Sequence, residues 1–187
     1  TGATIKWMED ELELIRSASE SEILATSVED NGGVYFVPAF TGLGAPWWDN
    51  DARALICGIS RGTTKAHIAR AALESIGYQV KDLVDLIIKT GINLKELRVD
   101  GGPVKNKFLM QFQSDMLQSP INRSPIEEGS ALGSVIMGGF ALKKWTSIEE
   151  VIKLRKNEDY IYPSMKEKDV KSLHNGWTKA VHRTIMK

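Results

Sequence analysis

The organisation of this chain is clearest in one stretch, Leu97-Arg98-Val99-Asp100-Gly101-Gly102-Pro103-Val104-Lys105-Asn106. Apolar residues alternate with polar ones up to Asp100, which is the pattern of a half-buried strand. Two glycines then permit a tight turn and a close approach to the backbone, and Pro103 fits the first turn of a helix. Because a helix N-terminus presents N–H groups and partial positive charge, such a turn suits an anion such as a phosphate. An ordinary strand–turn–helix connection has the same pattern, so the stretch alone leaves both interpretations open.

Strand-like and helix-like segments alternate on both sides of this stretch. Runs of β-branched and other apolar residues predict strands over residues 33–39, 53–60, 96–100 and 121–124. Helical spacing of apolar residues predicts helices over residues 3–16, 65–89, 105–117, 131–145, 147–156 and 166–186. The helix over 131–145, with Ser130 or Glu127 as its start, is apolar on nearly all sides, which predicts burial between other elements. This alternation is typical of an α/β sheet with helices packed against it.

The composition is that of an ordinary globular protein, and 187 residues suit one large domain. Its 24 basic and 24 acidic residues cancel without a basic stripe, which argues against a nucleic-acid partner. No apolar run approaches the ~20 residues of a transmembrane helix, so no membrane partner is expected. The single cysteine, Cys57, lies in an apolar run, which predicts a buried, reduced thiol in a reducing compartment such as the cytoplasm. Residues 1–8 already look like the inside of a turn and helix, which suggests a fragment of a longer protein.

Motifs for metal or nucleophilic chemistry are not evident. His67, His174 and His182 are scattered without the spacing of a helical zinc site, and they are predicted as surface or capping residues. There is no Gly-x-Ser-x-Gly elbow and no Walker-type Gly-Lys-Ser/Thr sequence. Asp100 either orients a metal-bound water or bonds the N–H groups of its own turn, and the turn role is favoured. Asn106 is either a contact to an adenine or ribose edge or a solvent-facing residue.

Residues 40–51 form a different kind of segment. They include two glycines, a proline and the pair Trp47-Trp48, which rules out a regular element. The pair is either an exposed binding surface or a loop pinned by its rings to the core or to a missing domain, and the pinned loop is favoured.

Longer motifs resemble those of the FGGY family of carbohydrate kinases. The second signature of that family is fitted at every constrained position by Ala54-Leu55-Ile56-Cys57-Gly58-Ile59, seven further residues, and His67-Ile68-Ala69-Arg70-Ala71-Ala72-Leu73-Glu74. Further matching segments lie at residues 37–49, 61–63, 99–102, 108–115 and 131–133. The match covers nearly the whole chain and, within the family, resembles the members that phosphorylate glycerol.

The resemblance implies an α/β domain with the actin-like, ribonuclease-H-like ATPase fold, a mixed sheet with helices on both faces. Residues 1–187 would be the C-terminal nucleotide-binding domain, with 146–187 as a C-terminal helical tail and the N-terminal substrate domain absent. That other domain would hold glycerol and the catalytic aspartate, so no catalytic residue is expected in this chain. The full enzyme would be a cytoplasmic homo-oligomer that uses ATP and Mg²⁺.

Carried across residue by residue, the resemblance implies a nucleotide site formed by Gly2, Lys6, Gly101, Gly102 and Asn106. Gly102 would contact the phosphates, Asn106 the adenine side, and Gly2 would lie on the nucleotide. Lys6 stands where many members have Gln, and small residues common after the glycine pair are replaced by Pro103 and Lys105. No residue of the chain is expected to ligate a metal.

Two alternatives remain open at this point. One is a sister FGGY kinase that acts on a pentulose or another polyol, which only the N-terminal pocket can distinguish from a member that phosphorylates glycerol. The other is a non-catalytic actin-like nucleotide-binding or regulatory module, which would lack an aspartate at the base position upstream.

Overall fold

Helices and short strands alternate along the chain in the computed structural model, which describes residues 2–124, 129–153 and 159–185. The helices are α1 (Gly2–Asp10), α2 (Ala18–Thr26), α3 (Lys65–Ile88), α4 (Lys107–Leu117), α5 (Gly129–Ala141), α6 (Ile148–Lys153) and α7 (Glu167–Ile185). The strands are β1 (Tyr35–Val37), β2 (Leu55–Cys57), β3 (Leu97–Val99), β4 (Ile121–Arg123) and β5 (Asp159–Ile161). A short 3-10 helix, Gly102–Lys105, precedes α4. None of the described helices combines the length and apolarity needed to cross a bilayer. This order confirms the predicted α/β class.

The strands form two small sheets. β1 and β2 pair antiparallel, with Tyr35 opposite Cys57. β3 runs parallel to β4, and β4 pairs antiparallel with β5, so the second sheet is mixed, as predicted. Parallel neighbours need a crossover connection, and α4 supplies it while packing against β4 and β5. Cys57, predicted as buried, is a free thiol of intermediate exposure, because β2 pairs with β1 alone in the described sheets.

Helix α3 is the longest described element and organises the packing around it. It begins after Thr64, whose N–H donates to Nδ1 of His67 at 3.1 Å, so His67 is a capping residue as predicted. In its middle, Gly77 lets α4 come close, because a Cβ there would lie 2.8 Å from Cδ1 of Phe112. Helices α2 and α4 and strand β1 all pack on α3.

One core joins α3 to α4 and α7. Tyr78 of α3 stacks on Trp177 of α7, with ring centroids 5.2 Å apart and ring planes 17° from parallel. Phe112 of α4 meets Tyr78 edge-on at 5.3 Å. Trp177 and Val181 are fully buried. The segment predicted as a helical tail therefore contributes a core helix and, at β5, a strand of the mixed sheet.

The loop over residues 40–51 is pinned to the core by only one of its two tryptophan rings. Nε1 of Trp47 donates to Oδ2 of Asp82 at 3.2 Å, and the same ring packs edge-on against His182. Trp48, by contrast, is 77% exposed. The pinned-loop prediction is confirmed for Trp47, whereas the ring of Trp48 is not pinned to the core of this chain.

Two helices end earlier than the apolar spacing predicts. α1 ends at Asp10 rather than at residue 16, and Glu13 takes a positive φ of 51°. α5 ends at Ala141 rather than at residue 145, and Lys143 takes a positive φ of 56°. A positive φ stops a helix, and at a residue other than glycine or asparagine the sequence gives no warning of it. The predicted helix limits at residues 127, 156 and 186 lie outside the described residues.

Helix α5 contradicts the prediction of burial on all sides. None of its side chains is buried, and Val135 and Met137 are 62% and 68% exposed. Its inner side faces Trp145, which folds back onto Gly139 and fills the space that a Cβ would need. Within the described ranges no other helix or strand packs extensively on α5. The periodicity of a sequence cannot reveal whether a packing partner is present.

Candidate functional site

The glycine turn after β3 has the predicted order of elements but a different helix geometry. Gly101 has a φ of +84°, which residues with a Cβ rarely adopt. The chain then forms the 3-10 helix and leaves helical geometry at Asn106 before α4 begins. Oδ1 of Asn106 accepts the N–H of Leu109 at 2.8 Å, so Asn106 is the N-cap of α4. Its acceptor oxygen is used within the fold, and its amide N–H groups are the donors it retains for a ligand.

The N-terminus of α4 offers less to an anion than the sequence predicts. The N–H of Lys107 donates to Oε1 of Glu22 at 3.1 Å, and that of Leu109 is bonded to Asn106. The backbone of the turn is the more accessible feature, because nothing lies within 4 Å of a Cβ built on Gly102. The same open space surrounds Gly2 at the start of α1.

A cavity of about 450 Å³ lies between α1, α2, α3 and the glycine turn. Its walls are mainly apolar and include Ile5, Leu73, Ile76, Pro103 and Leu109. Four of the five predicted nucleotide-site residues line it, although they come from two ends of the fold: Gly2, Lys6, Gly102 and Asn106. Gly101 is not part of the lining and instead supplies the bend that places Gly102 there.

Lys6 stands at the exposed rim of this cavity. Its Nζ lies 2.9 Å from Oδ2 of Asp10, one turn later in α1, and its side chain is 75% exposed. The hydrogen bond and charge of Asp10 hold the pKa of Lys6 above its usual value. The rim therefore carries a cation at neutral pH, with its field screened by solvent.

Next to the cavity wall, buried Glu74 connects three elements. Its carboxylate accepts from Nε of Arg70 at 2.9 Å and from Nδ2 of Asn31 at 2.8 Å. Arg70 also donates to the carbonyl oxygen of Val28 at 2.7 Å, and its guanidinium lies 5.0 Å over the ring of Phe108. Burial raises the pKa of Glu74, and Arg70 opposes that shift. The network ties α2 and α4 to α3 and so fixes the walls of the cavity.

No sequence motif singles out this network or the apolar wall as part of a site. The one sequence feature that could have indicated the network is the spacing of Arg70 and Glu74, which places opposite charges on one face of α3. Leu73 and Ile76 have the periodicity of any core residue, so only the three-dimensional arrangement shows that they face a cavity.

Asp82 gathers three donors at the other end of α3. It accepts from Nε1 of Trp177 at 2.8 Å and from Nε1 of Trp47 at 3.2 Å, and Nε2 of His174 lies 2.8 Å from its other oxygen. His174 is thus held against a buried carboxylate, contrary to its prediction as a surface or capping residue, because α7 packs into the core.

The described residues do not form a Mg²⁺ site on their own. The described part of the chain contains no group of three His, Cys, Asp or Glu side chains that suits a metal ion. Asp100, the carboxylate beside the glycine turn, lies against the start of α5, where a Cβ on Gly129 would clash with its Oδ2. Mg²⁺ in proteins is commonly held by one or two carboxylates together with substrate phosphates.

A second cavity of about 610 Å³ lies between β3, α5 and α6. Its lining includes Asp100, Leu132, Ile136, Trp145 and Ile152, and none of the predicted nucleotide-site residues. The turn that follows Asp100 therefore separates two cavities, and the predicted site belongs to one of them.

Similarity to known proteins extends over nearly the whole chain. Residues 1–142 match the model of the C-terminal domain of the FGGY family of carbohydrate kinases. Glycerol kinase 2 of Thermotoga maritima is 49% identical over 186 residues, which are 99% of this chain and 38% of that protein. The glycerol kinase of Thermococcus gammatolerans is 48% identical over 185 residues, 99% of this chain and 37% of that protein. The chain thus spans less than two-fifths of the length of these curated relatives.

Solved structures share the fold. The crystal structure of Plasmodium falciparum glycerol kinase with ADP matches with a TM-score of 0.90 at 39% identity, covering 100% of this chain and 37% of that one. Xylulose kinase from Lactobacillus acidophilus matches with a TM-score of 0.80 at 20% identity, covering 97% of this chain and 37% of that one. The second likeness shows the fold alone, and together they confirm the predicted actin-like α/β fold.

Proposed function

This chain belongs to the FGGY family of carbohydrate kinases, and from that premise we propose that it is the nucleotide-binding half of an ATP-dependent glycerol kinase. The whole enzyme would transfer the γ-phosphoryl group of ATP to glycerol, giving glycerol 3-phosphate and ADP. Identity of 49% and 48% to two glycerol kinases supports glycerol as the substrate. The rest of the enzyme would supply the glycerol pocket and the catalytic aspartate.

The cavity between α1 and the glycine turn is the observation that carries this proposal. Its apolar walls, including Leu73 and Leu109, suit the flat faces of a purine base. Asn106 would contact the base edge through its amide N–H groups, and the open backbone at Gly102 would let the phosphates approach. Gly2 would lie against the nucleotide, and Lys6 would add positive charge at the rim.

The role of this half would be positioning rather than proton transfer. In phosphoryl transfer, positioning and stabilisation of charge supply most of the rate enhancement. The residues lining the cavity would hold the base and orient the phosphates, and none of them is assigned a proton-transfer step. Mg²⁺ would enter with the phosphates of ATP, since the described residues offer no ligand set for it.

The proposal includes a domain organisation. Residues 1–187 would form one C-terminal nucleotide-binding domain, with 146–187 as its terminal segment, in a cytoplasmic homo-oligomer. The match to the family model ends at residue 142, which supports a boundary close to 146. Because Trp177 lies in the core, this terminal segment would be needed for the domain to fold.

Calorimetric titration of the chain with ATP tests the site. We expect saturable binding with a dissociation constant below about 1 mM, which corresponds to about 4 kcal/mol. Gly102→Val should weaken binding at least ~10-fold, about 1.4 kcal/mol, by filling the space meant for phosphate. It should leave thermal unfolding nearly unchanged, because nothing lies within 4 Å of a Cβ there. Gly62→Val, at an exposed glycine outside the cavity, is the matched control. Equal binding by all three proteins, or none at millimolar ATP, would contradict the site.

A phosphorylation assay tests the reaction. The full-length protein should phosphorylate glycerol with ATP, and this chain alone should not. Robust turnover by the chain alone would contradict the proposal that the rest of the enzyme supplies the glycerol pocket and the catalytic aspartate. Preference for a pentulose would favour a sister kinase.

A further inference from the structure

Glu22 of α2 lines the cavity of the candidate site, although no sequence motif singles it out. Oε1 of its carboxylate accepts the N–H of Lys107 at 3.1 Å, which joins α2 to the start of α4. The residue is half-buried. Within the described ranges the N–H of Lys107 is the one donor to this carboxylate, so its other oxygen is available to a ligand in the cavity.

Glu22 and Asn106 both bond the first turn of α4 and both line the cavity. Each side chain uses one oxygen to accept an N–H group of that turn, from Lys107 and from Leu109 respectively. Glu22 retains a carboxylate oxygen, which can only accept, and Asn106 retains its amide N–H groups, which can only donate. The cavity wall therefore presents an acceptor and a donor that are fixed to the same helical turn.

The acceptor lies toward the Asn106 side of the cavity rather than the Gly102 side. The 3-10 helix Gly102–Lys105 separates these two residues, and Glu22 is bonded to the residue that follows Asn106. Phosphates are expected at Gly102, where the backbone is open. Because like charges repel, a carboxylate away from Gly102 suits a neutral donor on the ligand, as the base of a nucleotide provides.

Adenine carries groups that complement this pair. Its 6-amino group is a hydrogen-bond donor, and the ring nitrogens on either side of it, N1 and N7, are acceptors. In guanine and hypoxanthine an oxygen at position 6 accepts instead, so it would face the Glu22 carboxylate with no proton between them. An unpaired acceptor held against a carboxylate costs binding free energy, which gives the site a means of rejecting 6-oxo purines.

We propose that Glu22 sets the preference of this site for adenine by accepting a hydrogen bond from the 6-amino group of the base. Asn106 donates to the neighbouring ring nitrogen from the same turn of α4. This inference rests on the proposed function, because it needs a purine base in this cavity. It assigns a specificity-determining contact to α2, an element for which the sequence indicated no role in the site.

Competitive titration of the full-length protein with three diphosphates tests this contact. ADP, inosine diphosphate and purine riboside diphosphate carry an amino group, an oxygen and a hydrogen atom at position 6, respectively. ADP should bind at least about 10-fold more tightly than inosine diphosphate, and purine riboside diphosphate should fall between them. Equal affinity for ADP and inosine diphosphate would overturn the proposal.

Glu22→Gln separates recognition of the base from support of α4. Only the oxygen of the glutamine amide can accept the N–H of Lys107, so its NH₂ group is turned toward the ligand. The preference for ADP over inosine diphosphate should therefore fall by at least about 10-fold, whereas thermal unfolding should change little. A loss of affinity shared equally by the three nucleotides would assign Glu22 a structural role and contradict the proposal.

Glu9→Gln is the matched control, because Glu9 lines the same cavity from α1. It removes the same charge, so it should change the affinities for the three nucleotides by one common factor. A shift in their ratios as large as that of Glu22→Gln would attribute the preference to charge alone and contradict the contact. Failure of all three nucleotides to bind would refute the proposed function together with the contact, whereas equal binding of all three would refute the contact alone.

Discussion

Helices α3 and α5 differ in a way that composition does not predict. α3 includes charged residues at buried positions, Glu74 and Asp82, and packs against helices on several sides. α5 has no charged residue and buries none of its side chains. In α3 each buried charge is paired with donors from other elements, whereas α5 has no covering element among the described residues. Burial is therefore decided by the presence of a packing partner rather than by the composition of the helix.

The largest expected effect lies at the contact between α3 and α7. Trp177→Ala should lower the free energy of unfolding by about 4 kcal/mol, because it removes a fully buried ring stacked on Tyr78. Met137→Ala on α5 should change it by less than about 0.5 kcal/mol, as expected for an exposed side chain. Urea unfolding measures both. A small effect at Trp177 would mean that α7 is not part of the core.

The buried carboxylate of α3 should have the next largest effect. Glu74→Ala should cost about 3 kcal/mol, because it leaves the half-buried Arg70 without its ionic partner and the buried Asn31 without its acceptor. The control is Asp85→Ala, which removes a more exposed pair with Lys81 and should cost about 0.5 kcal/mol or less. Similar losses in the two variants, again by urea unfolding, would refute the structural role of the Glu74 network.

Replacing a glycine by alanine should lower the stability of the protein in α3 and raise it in α5. In α3, Gly77→Ala puts a Cβ 2.8 Å from Cδ1 of Phe112, a ring held between Tyr78 and Phe108. Overpacking of about 2 kcal/mol should outweigh a helix-propensity gain of about 1 kcal/mol, for a net loss of about 1 kcal/mol. Thermal unfolding of the purified variant measures it, and a gain in stability would show that Phe112 can move aside.

The smallest expected effect is on α5. Gly138→Ala meets nothing within 4 Å, so only helix propensity should act, and the chain should gain about 0.7 kcal/mol. Thermal unfolding under the same conditions gives the comparison with Gly77→Ala. A loss of stability would mean that another part of this chain already packs against Gly138.

Local features of the fold could be predicted from the sequence, and features that depend on distant partners could not. The strand, turn and helix at residues 97–106 were predictable because neighbouring residues determine them, although the 3-10 geometry after Gly101 was not. The burial of Trp177 could not be predicted because it lies in a polar helix with few core residues. The exposure of Met137 could not be predicted because it lies in an apolar helix. In each case the local residue pattern does not show which other element packs against the helix.

The candidate site shows the same limit. Gly2 and Gly102 are a hundred positions apart, and only the family resemblance predicted that they belong to one site. The structure brings them to one cavity and adds an apolar wall on α3 that no motif indicated. Assigning nucleotide contacts to these residues is still a proposal.

The most direct test of the account is to map where ADP binds on the isotopically labelled chain by amide chemical shifts. The largest shift changes should fall on Lys6, Gly102 and Asn106, around the cavity between α1 and the glycine turn. Leu132 and Trp145, which line the second cavity, should change little. Changes concentrated at that second cavity or at the exposed end of α3, with none at Gly102, would contradict it.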